Sequence, residues 1–433
     1  MKRDIYHQLK SWKLSKRRKP LIINGARQVG KTHALKYFGA TYYDNVVYLN
    51  FEKNENLSGY FDITLDPKEL VKILSIHSDI DIKPSETLII LDEIQECPKA
   101  LNSLKYFYEE ANEYHVIAAG SLLGVKTNRS KGFPVGKVSF LYLYPMTFFE
   151  FLSALKHDKL RDLLESTCSY DSFPDPIHSK LIELLKLYLF IGGMPEVVSE
   201  YIESENLKIV REIQLEILDA YERDFAKHVL PKDIPKISTV WDQVHRQLAK
   251  ENKKFIFSAI RQSARGKEYE DAIQWLQDAG MIHKSHCIKT PKFPLSAYAD
   301  SHIFKVFLLD VGLLGAQSHL SAQTIISGHL LFTEFKGSLL ENYVAQELVA
   351  SRTHKLYYWT SSGTAEVDFL IEENHEVFPL EVKSGENNKK KSLLSYKEKY
   401  QSDQLLRTTL MNLKHDGKIY NYPLYLISRI LTF

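Results

Sequence analysis

The sequence predicts an α/β protein whose first part is built on a parallel sheet. Over residues 1–155, short apolar runs alternate with helical patterns, which is typical of βαβ units. A glycine-rich turn follows the first apolar run, and a later run ends in two carboxylates. A mainly helical middle comes next, and a second α/β pattern occupies residues 321–433.

The parallel sheet is predicted from five apolar runs. Leu88–Leu91 has no polar residue, as expected for a strand that is covered on both faces. Pro98 begins a helical pattern, at a position where its missing N–H costs nothing. The predicted strands are Leu21–Ile23, Val46–Phe51, Thr87–Leu91, His115–Ala119 and Val138–Leu143, and the predicted helices are Lys31–Phe38, Pro67–His77 and Pro98–Asn112.

The bulk composition restricts the class of protein only weakly. Lys and Arg total 56 and Asp and Glu total 54, so the net charge of +2 favours no particular partner. The three cysteines have neither zinc-site nor CxxC spacing, which fits a reducing compartment. No apolar run approaches the roughly 20 residues that span a bilayer, and no secretory signal is recognisable. We therefore expect a cytoplasmic protein with no membrane partner.

Residues 25–32 fit the phosphate-binding pattern GxxxxGK[ST]. They follow a predicted strand and precede a predicted helix, which is the context that this motif requires. Glycines let main-chain N–H groups approach phosphates, and the helix N-terminus adds partial positive charge. We expect Lys31 to neutralise the β- and γ-phosphates and Thr32 to ligate Mg²⁺. The expected nucleotide-binding residues are Gly25, Ala26, Arg27, Gln28, Val29, Gly30, Lys31 and Thr32.

Two carboxylates end the apolar strand near residue 90. The carboxyl ends of parallel strands form the ligand crevice of such sheets, so Asp92 is expected to bind Mg²⁺ together with Thr32. Glu93 is placed to polarise the attacking water as a general base, and the alternative is an exposed acid at a strand end. Ser121 follows the strand His115–Ala119 and is a candidate sensor of the γ-phosphate, with a plain turn as the alternative.

These segments resemble a prokaryotic AAA-type ATPase family related to archaeal ATPases. The resemblance rests on Gly25–Thr32, Asp92-Glu93-Ile94-Gln95 and Ala119-Gly120-Ser121. Leu143–Phe151 is similar to that family's exit from the ATPase core, and Gly192–Pro195 to its lid segment. The resemblance implies ATP and Mg²⁺ as cofactors and a C-terminal domain of unknown function.

The segment around residues 269–309 predicts a helix followed by a hairpin. Tyr269–Ile282 predicts an amphipathic helix that ends at Gly280, and the hairpin is expected to run from about His283 to Leu309. Helix followed by wing is the pattern of a winged helix-turn-helix, and the family resemblance implies the same. The alternative is a protein-docking or scaffold domain. The basic residues available for DNA here are Arg261, Arg265, Lys267, Lys284, Lys289 and Lys292.

Two predicted strands near the C-terminus carry carboxylates that can meet across a hairpin. Asp368 lies on the first, and Glu381 lies on the second, two residues before Lys383. Two close carboxylates repel each other unless a cation separates them, so Mg²⁺ is the expected occupant. Lys383 would then stabilise developing phosphate charge, and Glu341, on a predicted helix, is a third candidate carboxylate.

This Asp…Glu-x-Lys arrangement resembles the restriction-endonuclease-like nuclease core. The resemblance implies a nuclease-like site of Glu341, Asp368, Glu381 and Lys383, with a second metal on Asp368 and Glu381. The alternatives are an ordinary ion-pair hairpin and a degenerate nuclease fold kept for docking.

Four domains are therefore predicted. They are a P-loop AAA-type ATPase core over residues 1–155, a helical lid over 156–228, a winged helix-turn-helix over 229–320 and a restriction-endonuclease-like α/β domain over 321–433.

The leading functional hypothesis is an ATP-binding, Mg²⁺-dependent ATPase that couples its nucleotide state to a DNA-related C-terminal module. The expected catalytic residues are Lys31, Glu93 and Ser121. The expected partners are ATP, DNA and either a protein partner or a second copy of the chain. Two alternatives stay open: an ATP-switched regulatory or scaffold protein with an inactive nuclease-like tail, and an ATP-gated, metal-dependent DNA nuclease.

Overall fold

A computed structural model describes the chain except for a few short segments. Its residues form two compact units. The N-terminal unit comprises Lys2–Tyr144 with Asp278–Gly280, and the C-terminal unit comprises Met1, Pro145–Gln277 and Met281–Phe433. The described residues are 1–120, 134–249, 254–256, 266–327, 333–352, 355–361, 364–383 and 391–433.

The N-terminal unit is built on a five-stranded parallel sheet in the order β2-β3-β4-β1-β5. The five predicted strands are confirmed, with ends that differ by at most one residue. The strands are β1 (Leu21–Asn24), β2 (Asn45–Asn50), β3 (Thr87–Asp92), β4 (His115–Ala119) and β5 (Ser139–Tyr142). Strand β3 is buried along its whole length, including Asp92 at its carboxyl end.

The helices of this unit are α1 (Ile5–Leu14), α2 (Lys31–Tyr42), α3 (Leu57–Ile63), α4 (Pro67–Ser78) and α5 (Pro98–Glu110). Local signals fix α4: the Asp66 side chain accepts the N–H groups of Lys68 and Glu69, and Pro67 occupies the first turn. Helix α1 was not predicted, although Ile5, Leu9 and Trp12 bury one face of it at helical spacing.

The core of the N-terminal unit lies between the sheet and helices α3 to α5. Phe51 and Phe61 meet edge to face there, with their ring centroids 5.6 Å apart. Burying a side chain of this size stabilises the fold by about 1.5–3 kcal/mol. This packing holds the carboxyl ends of β2 and β3 in place.

The C-terminal unit combines helices with an eight-stranded mixed sheet in the order β12-β13-β11-β10-β9-β8-β6-β7. Its strands are β6 (Ile282–Ile288), β7 (Ala299–Leu308), β8 (Leu356–Thr360), β9 (Glu366–Glu373), β10 (Glu376–Val382), β11 (Leu405–Thr409), β12 (Lys414–Asp416) and β13 (Ile419–Pro423). Its helices are α6 (Phe148–Ala154), α7 (Asp158–Ser166), α8 (Asp175–Ile191), α9 (Pro195–Ser204), α10 (Leu207–His228), α11 (Ile234–Leu248), α12 (Gly266–Asp278), α13 (Val311–Gln317), α14 (Ala322–Ser327), α15 (Thr333–Ser351) and α16 (Lys391–Tyr400).

The eight-stranded sheet takes strands from both sides of the predicted boundary at 320/321. The hairpin β6–β7 was expected to be the wing of a separate domain. Instead β6 also pairs in parallel with β8, through Ser285–Ile288 and Leu356–Trp359, so the hairpin forms one edge of the eight-stranded sheet. Cys287 and Ile288 are buried, so this end of β6 packs inside the C-terminal unit.

Contacts also cross the predicted boundaries at 155/156 and 228/229. The N-terminal unit ends at Tyr144, and α6 belongs to the C-terminal unit. Thr147 and Glu150 form a capping box on α6, and the Phe148 N–H donates to the Glu347 carboxylate of α15 at 2.8 Å. On the far side of the predicted lid, the Tyr221 ring of α10 packs on Trp241 of α11. Each predicted boundary is thus crossed by at least one side-chain contact.

A buried carboxylate joins distant parts of the C-terminal unit. Asp310 accepts the N–H groups of Gly193 at 2.6 Å and of Leu313 at 2.9 Å. Burial raises the pKa of this carboxyl to about 6, although the N–H donors act to lower it. The Gly192–Pro195 segment, expected to belong to a lid, is thus fixed to the start of α13.

None of the helices in the described part of the chain is both long enough and apolar enough to cross a membrane.

Candidate functional site

The glycine-rich turn between β1 and α2 has a backbone that the sequence pattern requires. Gly30 immediately precedes α2 in the left-handed region, with φ of 92°. At Gly25, a Cβ atom would lie 2.2 Å from the Leu143 carbonyl oxygen, so no larger residue fits. The turn therefore delivers the first turn of α2, with its main-chain N–H groups, to the end of β1.

Lys31 lies inside this turn and is almost fully buried. Its Nζ donates to the carbonyl oxygens of Gly25 at 2.8 Å and Ala26 at 2.7 Å. Burial lowers the pKa of the ammonium to about 8, against the raising effect of Glu93 and Asp92. The positive charge of Lys31 is thus held by neutral acceptors, which suits it to an incoming anion.

Asp92 ends β3 and is 1% exposed. Its Oδ2 accepts the Thr32 hydroxyl at 2.8 Å and the Tyr48 hydroxyl at 2.8 Å. The structure thus brings together Thr32 and Asp92, the two residues predicted to bind Mg²⁺. Oxygen ligands of this kind are those that Mg²⁺ prefers.

Glu93 follows at once and adopts a left-handed backbone, with φ of 51° and ψ of 43°. This conformation is uncommon for a residue other than glycine, asparagine or aspartate, and it is typical of functional positions. The Glu93 carboxylate accepts the Gln95 side-chain N–H at 2.6 Å. It also raises the pKa of Lys31, so the two charges act on one another.

Two residues of the site were not predicted, Tyr48 and Gln95. Burial, with lesser contributions from neighbouring groups, raises the pKa of the Tyr48 hydroxyl to about 12, so the hydroxyl stays a hydrogen-bond donor. Tyr48 and Asn50 lie two residues apart near the end of β2 and so share one face of the strand. The Asn50 side chain donates to the Tyr48 hydroxyl at 3.1 Å. Polar residues at the end of a strand adjacent to β3 are the signal that points to Tyr48.

Of the remaining predicted residues of this site, Arg27 and Gln28 are described by the structure and Ser121 is not. Arg27 lies 4.0 Å from Glu52 in a partly exposed ion pair, and Gln28 has a left-handed backbone with φ of 63°. Ser121 lies outside the described residues.

The basic run near residue 16 is partly bound into the N-terminal unit. Lys13 donates to the Tyr42 carbonyl oxygen, Arg18 to that of Asn112, and Lys19 to that of Gly136. Lys16 and Arg17 are exposed. Arg261, Arg265, Lys389 and Lys390 lie outside the described residues.

The predicted nuclease-like residues meet in the C-terminal unit. The expected hairpin β9–β10 is confirmed as antiparallel, and it pairs Leu380 with Phe369, so that Glu381 and Asp368 are the next residues along. No group of three or more His, Cys, Asp or Glu side chains able to hold a metal occurs within the described part of the structure.

The N-terminal unit matches a known family. Residues 17–152 fit the family model described as an AAA domain. The chain contains a P-loop AAA-type ATPase domain. Within this AAA domain lie the P-loop, Asp92 and Glu93, so the ATP-binding function expected from the sequence is supported.

Two further family models match the C-terminal unit, and neither has an assigned function. Residues 182–324 match the Domain of unknown function (DUF8612), and residues 336–426 match the Domain of unknown function (DUF4143). The nuclease-like nature of the tail therefore stays a prediction.

Solved structures give distant likenesses. The chain is 14% identical to the Walker-type ATPase PABY2304 of Pyrococcus abyssi, with a TM-score of 0.46, over 73% of this chain and 95% of that chain. It is 12% identical to Cdc6p from Pyrobaculum aerophilum, with a TM-score of 0.25, over 75% of this chain and 93% of that chain. It is 14% identical to the Aeropyrum pernix Orc1 protein, solved in complex with DNA, with a TM-score of 0.27, over 75% and 92%. None of the curated proteins matches the sequence.

Proposed function

We propose that the chain is a Mg²⁺-dependent ATPase whose site consists of the P-loop and the carboxyl end of β3. One observation carries the proposal: the buried Asp92 carboxylate is hydrogen-bonded to the Thr32 hydroxyl beside a lysine whose charge rests on neutral carbonyl oxygens. The phosphate oxygens of a triphosphate are charged acceptors, and they bind an ammonium group more strongly than neutral main-chain carbonyl oxygens do.

The roles follow from the chemistry of each side chain. Lys31 binds and neutralises phosphate oxygens, and the N-terminus of α2 donates N–H groups to them. Thr32 and Asp92 would hold Mg²⁺, which supplies charge neutralisation when bound. Glu93 accepts a proton from the attacking water, and Gln95 orients the Glu93 carboxylate through its 2.6 Å hydrogen bond.

Phosphate release from Mg·ATP by the purified chain tests the proposal. Lys31→Ala is expected to lower turnover by about 100-fold or more, because a phosphate-stabilising charge is lost. Lys72→Ala, at an exposed position on α4, is the matched control and is expected to leave turnover unchanged. A wild-type chain that binds ATP and never releases phosphate would contradict the proposal and favour the ATP-switched scaffold.

Glu93→Gln separates binding from chemistry. The variant keeps a hydrogen-bonding side chain of the same size, so ATP binding is expected to persist while turnover falls by about 100-fold. Glu113→Gln, an exposed acid before β4, is its control. If Glu93→Gln turned over at the wild-type rate, Glu93 would not be the general base.

DNA as a partner stays a prediction from the sequence. Among the expected wing lysines, Lys289 pairs with Asp300 at 3.5 Å, and Lys284 lies over the Phe304 ring. A titration of labelled duplex DNA at low salt tests this partner, with the exposed pair Lys16→Ala and Arg17→Ala as the variant expected to weaken binding.

A further inference from the structure

A second group of lysines and carboxylates lies in the C-terminal unit, where the sequence predicts a metal-dependent nuclease site. We call it the Lys305 cluster. Strand β7 contributes Lys305, α15 contributes Glu341, and the rest lie on β9, β10 and β11 or, for Lys383, directly after β10. Its members are Lys305, Glu341, Glu366, Asp368, Glu381, Lys383 and Arg407.

Lys305 is the centre of one half of the cluster. Its side chain is 0% exposed, and its Nζ lies 2.5 Å from Glu366 Oε1 and 3.8 Å from Glu341 Oε2. Burial alone would lower the pKa of this ammonium, but Glu341, Glu366 and Asp368 raise it above its usual value. The Tyr358 ring lies 4.8 Å from the same nitrogen and covers it. The two carboxylates within 4 Å of its Nζ therefore hold Lys305 as a buried cation.

The other half contains the two residues expected to bind the metal. Glu381 is buried, and its Oε1 lies 2.8 Å from Lys383 Nζ. The register of β10 and β11 pairs Glu381 with Arg407, which interacts electrostatically with it. Asp368 Oδ2 accepts the Val382 N–H at 2.8 Å. Each expected ligand already has an internal partner.

A divalent metal does not fit these residues. It would have to lie beside a buried ammonium of the same sign, where little water screens the repulsion. It would also compete with Lys383 for the Glu381 carboxylate, and a desolvated charge left without its partner is costly. The cation that the carboxylates require is supplied by the chain itself.

We propose that Lys305 is the resident cation of this cluster, taking the place that a divalent metal would need, so that the C-terminal unit is not a metal-dependent nuclease. The ion pairs serve instead to bind β7, at the edge of the sheet, to α15 and β9. The hairpin expected to be a wing is held in the sheet by charge as well as by hydrogen bonds.

Manganese binding to the full chain tests the proposal, with Mn²⁺ as the probe. Every chain carries Asp92→Ala, which removes the metal ligand of the P-loop site. This parent is expected to bind no Mn²⁺ by calorimetry up to millimolar concentration and to melt at the same temperature in Mn²⁺ and in EDTA. Micromolar binding that Asp368→Asn abolishes would overturn the proposal.

Substitution of Lys305 gives the converse test. Lys305→Ala leaves the carboxylates without their cation, so this chain is expected to gain a Mn²⁺-dependent rise in melting temperature of roughly 2–4 °C or more. Lys305→Arg keeps the charge and is expected to gain none. A Lys305→Ala chain that melts cooperatively, at a melting temperature that Mn²⁺ does not change, would show that Lys305 does not exclude the metal. If Lys305→Ala fails to fold, the parent titration decides the question.

Supercoiled plasmid provides an independent readout of the same proposal. The wild-type chain with Mg·ATP, or with Mn²⁺, is expected to leave the plasmid intact. Cleavage that disappears in both Asp368→Asn and Lys383→Ala would assign a metal-dependent nuclease to this cluster and refute our inference.

Discussion

Two buried lysines of this chain lie near carboxylates and behave in opposite ways. Lys31 donates to main-chain carbonyl oxygens, and burial lowers its pKa to about 8. Lys305 lies against Glu366 and Glu341, which raise its pKa despite burial. A lysine held by neutral acceptors keeps a charge that a phosphate can use, whereas one held by carboxylates is already neutralised. The chemical type of the hydrogen-bond acceptors around each ammonium group thus distinguishes a lysine suited to anion binding from a lysine in a structural ion pair.

The largest expected effect is a difference in stability between two equivalent substitutions. Lys305→Met should destabilise the C-terminal unit by about 3–5 kcal/mol, because it leaves buried carboxylates without their cation. Lys31→Met should cost the N-terminal unit less than about 1 kcal/mol, because it removes a desolvated charge that has no anionic hydrogen-bond acceptor. Urea unfolding of the nucleotide-free chain measures both. Equal losses would remove the distinction between the two lysines.

Asp310 differs from both lysines, because it is a buried acidic group held by N–H donors and not by a cation. Its pKa is raised from 3.8 to about 6, so the folded chain retains a proton that the unfolded chain releases between these values. Stability should therefore fall as pH rises from about 4 to about 6, by up to about 3 kcal/mol from this group. Asp310→Asn should remove that part of the slope. Parallel pH profiles of the variant and the wild type would contradict the assignment.

The lowered pKa of Lys31 predicts a pH dependence of binding. Above pH 8, the nucleotide-free chain increasingly loses the Lys31 proton, and ATP must restore it. The affinity for ATP at pH 9 should be about tenfold weaker than at pH 7, which corresponds to about 1.4 kcal/mol. Calorimetry in buffers of different ionisation enthalpy should show proton uptake at pH 9. In Lys31→Met the binding that remains should be independent of pH over this range, and a persisting slope would point to another group.

The smallest expected effect concerns Tyr48, whose hydroxyl donates to Asp92 Oδ2. Tyr48→Phe removes one hydrogen bond that orients this carboxylate, so the affinity for Mg·ATP should fall three- to fivefold, or by about 1 kcal/mol. Tyr37→Phe, at a half-exposed position on α2, is the matched control. An unchanged or tighter affinity would show that Tyr48 does not position Asp92.

The sequence was sufficient where the determinants are local. The strand–turn–helix around Gly25–Thr32 and the apolar strand ending at Asp92 are contiguous patterns, and the five strands follow with ends correct to one residue. Hydrophobic periodicity also predicted the hairpin β9–β10, because its two strands adjoin in the chain. Such features depend on few distant residues, so a single sequence can reveal them.

Features that depend on distant pairings were not predictable in this way. Lys305 reaches Glu341 and Glu366 only because β6 pairs with β8 and thereby brings β7 into the sheet. Nothing in the spacing of Lys305 distinguishes it from other lysines of the predicted wing. The Tyr48 hydroxyl meets Asp92 through the register of β2 and β3, which hydrophobic pattern alone does not fix.

The pairing of β6 with β8 also limits how this chain can be divided. A fragment that begins at residue 321 would lack β6, and the N–H and C=O groups of Leu356–Thr360 on that side would lose their neighbour. Unpaired strand edges of this kind pair with other chains and promote aggregation. Trp359, which is fully buried in the intact chain, would add exposed apolar surface. Such a fragment should precipitate, whereas the full chain keeps β6 and β7 paired beside β8.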